Sequence, residues 1–470
     1  MFEATWESLQ QYECPQWFQD AKFGVWAHWG PQCVPMVGDW YARHMYVEGH
    51  PQYEHHCRTY GHPSVFGYKD IVKLWRAEAW EPERLIDLYR SAGAKYFVSM
   101  AVHHDNFDLW NSTHHAWNAT KVGPRRDVVG EWAAAARAAG LRFGVTEHLE
   151  RSYCWFNTNK GSDRTGPYAG VPYDGNDADH AEFYIEPHGD TSARFPDHPT
   201  PAWTQHWQNR ITDLIDQYAP DLLYTDGGLP FGRTGLEMVA HFYNSSLRRN
   251  GVLDAVYALK DPSRHDGNHG EYQEGFATLD VERGVIGEAS PTPWQTDTCL
   301  GGWFYDSRRV YKSPDVVIHM LADIVSKNGC LLLNATQRPD GSLDEKSEWT
   351  LQEIGRWLAV NGEAIYETRP WSRFGEGPTT FAASSFAERE ERVFTGDDFR
   401  FTVKGDTVYA IAMGWPTKGG WLIGSLAHVP VQSVSVLGAG QTKWQATPDG
   451  LWVEAPQRLP GDYAWAIRVD

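Results

Sequence analysis

The chain has 470 residues, 41% of them apolar, enough for one large domain and a smaller one. No apolar run approaches the ~18 residues of a membrane span, and the opening Met1–Trp6 lacks the basic-then-apolar pattern of a signal peptide, so a cytoplasmic form and a trimmed secreted or periplasmic form are both compatible with it. With 61 acidic against 42 basic residues and a formal charge of −19, the surface repels phosphate backbones and anionic membranes, which argues against nucleic-acid and membrane partners.

From about residue 20 to 360, short apolar runs alternate with helical periodicities. Phe23–His28, Tyr96–Val102, Leu141–Val145, Asp221–Thr225, Ala255–Leu259 and Cys330–Leu333 read as strands. Pro82–Ala94, Val128–Ala139, Trp203–Tyr218, Glu237–Arg249 and Pro314–Lys327 read as helices between them, and Leu351–Val360 as a last one. This order predicts an α/β fold with a parallel sheet, a (β/α)8-like (TIM-type) barrel. An open doubly wound sheet is the alternative, but no GxGxxG follows the first strand. Gly161–Thr200, polar and rich in Pro, Gly and Asp, reads as a long insertion after the third strand, on the side where substrates bind. From about residue 372 short alternating runs separated by Gly, Asp and Pro predict a C-terminal β-sandwich, with the domains placed at 1–368 and 369–470. Trp415 and Trp421 in that domain are expected at its surface, binding glycan or packing on the barrel.

Six scattered cysteines without a CxxC suggest neither a zinc site nor a disulfide framework. No His-x-His occurs among the 20 histidines, and adjacent pairs would diverge on a regular strand, so no metal and no cofactor are expected. The 23 tryptophans, 22 tyrosines and 20 phenylalanines point weakly to sugars, whose C–H faces stack on aromatic rings.

The most informative segment is Leu222–Gly228, an apolar run stopping in Asp226 and two glycines. Strand C-termini carry the chemistry of α/β barrels, so Asp226 is a catalytic candidate, against the plainer reading of a helix cap. Three further strands end in His28-Trp29, His103-His104-Asp105 and Glu147-His148, which together predict a polar pocket at the barrel mouth. Two carboxyl groups across a sugar would suit this pocket. Glu282 and Glu288 are the downstream candidates to partner Asp226, against the plainer reading of surface salt bridges.

Six segments in order resemble the α-L-fucosidases of glycoside hydrolase family 29: Trp17–Gly30, Ala94–Asp105, Leu222–Gly228, Pro293–Thr298, Lys327–Asn334 and Asn361–Tyr366. The resemblance implies a barrel followed by a β-sandwich, and a metal-free, retaining exo-α-L-fucosidase acting on fucosylated oligosaccharides or glycoconjugates. It implies Asp226 as nucleophile and Glu282 as acid/base, with Glu288 as the alternative. It also implies that His28, His103 and His104 bind the fucose hydroxyls, that Trp40 contacts the sugar, and that Tyr224 is the aromatic residue two before the nucleophile. Trp303 or Phe304 would then pack on the C5 methyl, and family members often form homo-oligomers. Asp39 stands where many members have Glu, and Glu147-His148 where many have aromatic or small residues. Ala258-Leu259-Lys260 replaces an Asn-Asp-Arg, so Lys260 supplies charge without the bidentate fork of arginine. These departures suggest a different aglycone or sugar preference. The alternatives are the same fold acting on a related sugar such as α-L-galactose, and a silent fucose-binding protein.

Overall fold

The computed structural model describes residues 1–264, 269–380 and 393–470. Eight parallel strands close a barrel in sequence order: β1 (Phe23–Ala27), β2 (Tyr96–Val102), β3 (Arg142–Glu147), β4 (Leu222–Thr225), β5 (Val256–Lys260), β6 (Thr278–Asp280), β7 (Trp294–Cys299) and β8 (Gly329–Asn334). The barrel predicted from the alternation is therefore present. β6 and β7 are additional to the expected strands. β7 reads Trp-Gln-Thr-Asp-Thr-Cys, a polar string without the apolar run that betrays a buried strand, yet every residue in it is buried. β6 has only three residues.

Side chains alternate across each strand, and this parity builds the site. Val98, Leu222, Val256, Ala258, Cys330 and Leu332 fill the barrel interior, with Trp26 and Tyr224 in the same cluster. The next residues of the same parity, two further along, are His28, Asp226, Lys260 and Asn334. Long helices cover the barrel at Pro82–Ser91, Val128–Ala138, Pro201–Tyr218, Arg233–Asn250, Pro314–Ser326 and Glu345–Asn361. Among the described residues no long helix follows β5 or β6. The N-terminal segment packs there instead: Tyr12 stacks on Tyr243 at 5.1 Å and bonds Thr278 Oγ1 at 2.8 Å, and Trp6 packs edge-on against Phe276.

The insertion between β3 and β4 carries only short helical turns. Asp163 pins it by accepting hydrogen bonds from Tyr53 at 2.5 Å, from His62 Nε2 at 2.9 Å and from Tyr173. The C-terminal part contains an antiparallel six-stranded sheet and a three-stranded one. Its own core includes Trp421, against which half-buried Trp415 packs at 5.2 Å. Trp421 is thus neither exposed nor turned to the barrel, because the small sandwich needs large rings to fill its centre. The two parts are tied by buried polar contacts: Arg400 to Asp323 at 2.5 Å, Trp357 Nε1 to the Ala464 carbonyl at 2.8 Å, and Ala466 N to Asn361 Oδ1 at 3.1 Å.

Candidate active site

Asp226 ends β4 and is only 11% exposed. Gly227 takes φ +143°, a conformation that L side chains rarely adopt, and a Cβ on Gly228 would lie 2.6 Å from Pro262, so both glycines are needed for the turn behind the carboxylate. One oxygen of Asp226 accepts from Lys260 Nζ. The other faces His148 Nδ1 at 3.3 Å and His104 Nε2 at 3.5 Å. Burial opposes ionisation, but Lys260 and then His148 outweigh it and hold the carboxyl well below the usual range.

Lys260 Nζ also donates to Glu282 Oε2 at 2.5 Å. Burial alone would lower the ammonium's pKa, but Asp226 and Glu282 reverse that and raise it. Glu282 lies two residues beyond Asp280, in step with the inward parity, and its neighbours continue the ladder to β7: Val281 N bonds the Gln295 carbonyl at 2.9 Å and Arg283 N the Asp297 carbonyl at 2.8 Å. Two acceptors sharing one ammonium have their bonded oxygens no more than about 6 Å apart, twice an ordinary N···O distance.

Beneath this pair lie Asp280 and Asp297, which no motif singled out. Gln295 Nε2 donates to Asp280 Oδ1 at 2.9 Å, and the Tyr224 hydroxyl donates to Asp297 Oδ2 at 3.3 Å. Burial raises Asp280 to about 7, and burial together with Asp280 pushes Asp297 well up. Tyr224, the aromatic residue two before Asp226, is fully buried below it as a floor.

Four histidines line the opposite side. β2 ends at Val102 after a register shift, so His103 and His104 lie beyond the regular strand and do not diverge: their rings are 4.1 Å apart. Gln32 uses Oε1 for Ala42 N at 3.3 Å and turns Nε2 to His103 Nδ1 at 2.7 Å, which leaves the proton on His103 Nε2. His104 Nδ1 donates to the His148 carbonyl at 2.7 Å, leaving its Nε2 as an acceptor facing the mouth. Asn334 Oδ1 accepts from His28 N at 3.0 Å, while its Nδ2 donates to the Trp303 carbonyl at 2.9 Å, so one amide positions both residues. Among the described residues His28 Nδ1 is buried without a partner. Burial lowers the pKa of all four histidines, most strongly for His28, His103 and His104.

Aromatic rings close the rim. Phe304 stands edge-on to His28 at 4.7 Å and to His103 at 5.1 Å; Trp303 packs on Trp26 at 5.3 Å and on His28 at 5.5 Å. Trp40 has φ +63°, unusual for a bulky residue, and Asp39 Oδ1 caps its N–H at 2.7 Å. It packs on Trp155 at 4.8 Å.

Two expected residues lie elsewhere. Glu147 has the opposite parity from His148 and faces the helical layer, where Leu149 N at 3.0 Å, Thr225 Oγ1 at 2.8 Å and Trp207 Nε1 at 3.2 Å occupy its oxygens. Glu288 is exposed and lines a groove outside the barrel with Cys14, Tyr272 and Trp294, eight residues past the end of β6. Without any His-x-His, the topology gathers His28, His103 and His148, and likewise His104, His148 and Asp226, with ligand atoms within 4.8 Å of one another.

The model of the family described as Alpha-L-fucosidase matches residues 1–363, and that of the Alpha-L-fucosidase C-terminal domain matches 394–470. The chain is 29% identical to the human tissue alpha-L-fucosidase over 489 residues, covering all of this chain and 91% of that one. It is also 29% identical to the human plasma alpha-L-fucosidase, covering all of this chain and 92% of that one. Among solved structures, the Thermotoga maritima alpha-fucosidase in complex with fucose superposes with a TM-score of 0.78 at 25% identity, with full coverage of both chains. The same enzyme with a mechanism-based inhibitor gives 0.77 at 25% identity, again with full coverage of both.

Proposed function

The chain belongs to the α-L-fucosidase family, and from that premise we propose that it is a retaining exo-α-L-fucosidase, removing terminal α-L-fucose from oligosaccharides or glycoconjugates. The observation that carries the mechanistic reading is the pair of carboxyl groups on one ammonium, Asp226 and Glu282 on Lys260. Their bonded oxygens, at most about 6 Å apart, match the ~5–5.5 Å of retaining glycosidases better than the ~6.5–9.5 Å that leaves room for water in inverting ones. On this reading residues 1–368 carry the chemistry and 369–470 buttress them.

In the first step Asp226 attacks the anomeric carbon while Glu282 gives its proton to the departing glycosidic oxygen, forming a covalent fucosyl-enzyme. Glu282 then takes a proton from water, which attacks the same carbon and frees Asp226. Lys260 and His148 keep the nucleophile ionised. The His104 Nε2 lone pair accepts from a sugar hydroxyl, His103 Nε2–H donates to one, and the unpartnered His28 Nδ1 takes a third. Phe304 and Trp303 offer the C5 methyl an apolar wall, worth roughly 0.8 kcal/mol per buried carbon, and leave an added hydroxyl there without a partner.

The test is hydrolysis of 4-nitrophenyl α-L-fucoside by wild type and Asp226→Ala. The variant should lose activity by a factor on the order of 10⁴ and regain it with azide as β-L-fucosyl azide. Wild-type turnover that persists in Asp226→Ala would remove the nucleophile assignment.

A further inference from the structure

Arg151 is a feature of the mouth that the proposed chemistry does not use. It follows β3 by four residues and is 7% exposed. Its guanidinium lies 4.0 Å from the Phe195 ring centroid and 5.9 Å from that of Trp40. Phe195, brought in by the insertion, reaches to within 3.3 Å of where a Cβ on Gly227 would stand, so this arginine lies on the nucleophile's side of the mouth. Its Nε is buried without a hydrogen-bond partner, and among the described residues its side chain makes no ion pair. The nearby acids attract it from a distance but bond other groups: Glu150 Oε1 bonds His269 Nδ1 at 2.8 Å while its Oε2 stays buried without a partner among the described residues, Asp226 bonds Lys260, and Asp39 bonds the Trp40 N–H. A second guanidinium, that of Arg194, lies 5.7 Å from the Trp40 ring.

Among the described residues no carboxylate reaches ion-pair distance of this guanidinium; Asp226, Glu150 and Asp39 act on it only by longer-range attraction. Burying a guanidinium N–H without a directly bonded acceptor is costly, and the cost falls when a ligand provides one. With its face on Phe195, the guanidinium has edge N–H groups without a protein acceptor among the described residues, and such a fork can grip an oxyanion with two parallel N–H···O bonds. We propose that Arg151, with Arg194 at the rim, forms an anion subsite, and that the preferred substrate carries a sulfate ester or a carboxylate beside the fucosidic bond. This rests on the fucosidase reading and refines its substrate class. A neutral sugar would satisfy the same N–H groups only as hydroxyl acceptors, without neutralising the charge.

The test uses the full chain as wild type, Arg151→Met, which keeps the apolar stem, and Arg151→Lys, which keeps the charge but loses the fork. Inorganic sulfate, against chloride at equal ionic strength, should raise the thermal midpoint of wild type, with binding at least about tenfold weaker in Arg151→Met and intermediate in Arg151→Lys. This readout needs no turnover, so it separates failure of the subsite from failure of the fucosidase reading. Fucosides of a sulfated galactose, of glucuronic acid and of the neutral parent sugars then identify the source of the anion. One anionic substrate should exceed its neutral parent in kcat/KM by about tenfold in wild type and by little in Arg151→Met. Equal losses on neutral and anionic fucosides in Arg151→Met, or sulfate binding unchanged by it, would overturn the proposal.

Discussion

On the β1–β3 side of the mouth, four buried histidines are held uncharged near neutral pH and present nitrogens whose protons are placed by Gln32 and by the His148 carbonyl. On the β4–β7 side, Asp226, Glu282, Asp280 and Asp297 crowd around the single ammonium of Lys260. Both sides are buried and polar, yet burial acts on them differently. It strips charge from the histidines, which suits recognition of a neutral polyol. Among the acids it neutralises the lower pair, while Lys260 keeps Asp226 ionised for chemistry. On the proposed mechanism, a site that must both hold a sugar and attack it divides the two tasks between halves of one barrel.

The largest effect that would break this division comes from the proposed acid/base, Glu282. Glu282→Ala should lower kcat/KM by about 10³-fold for leaving groups that need protonation, and azide should return an α-L-fucosyl azide. Glu288→Ala should stay within about twofold of wild type, as a solvated group outside the barrel. A large loss in Glu288→Ala would place the acid/base on a residue that the geometry puts elsewhere.

A smaller effect is expected on the histidine side. His28→Phe removes a buried nitrogen that has no protein partner, so kcat/KM should fall roughly tenfold, mainly through KM, while stability holds or rises. Loss of stability in step with activity would make His28 a structural group and blur the contrast between the halves.

The last effect is thermodynamic and is read as a slope with pH. Asp280 has its pKa raised to about 7 in the fold, against ~3.9 for an unfolded aspartate. Between those values the folded state holds a proton that the unfolded state has released, so its contribution is fully present below pH ~4 and is lost as pH rises through ~7. The slope is at most ~1.4 kcal/mol per pH unit. Asp280→Asn should flatten the fall in thermal midpoint across that window; an unchanged slope would assign the proton elsewhere.

Much of this was legible in the sequence. The alternation of elements predicted the barrel, and the abrupt ends of four strands marked the mouth. Strand parity was equally readable and separates Asp226, His148 and Glu282, in step with their inward neighbours, from Glu147, which is not. Polar β7 was not legible, because Gln295 and Asp297 are accommodated by partners on other strands, Asp280 for Gln295 and Tyr224 for Asp297, which only the closed barrel brings to them. Nor was Arg151 among the candidates, since it is the lack of a partner that distinguishes it, and pairing is a property of three dimensions.

The most direct test of the two-carboxylate account is the anomer released first, followed by proton NMR as wild type hydrolyses 4-nitrophenyl α-L-fucoside. Carboxyl groups bridged by Lys260 predict that α-L-fucose appears first and then mutarotates to the mixture. β-L-fucose appearing first would mean direct attack by water, and would contradict the close pairing of Asp226 with Glu282.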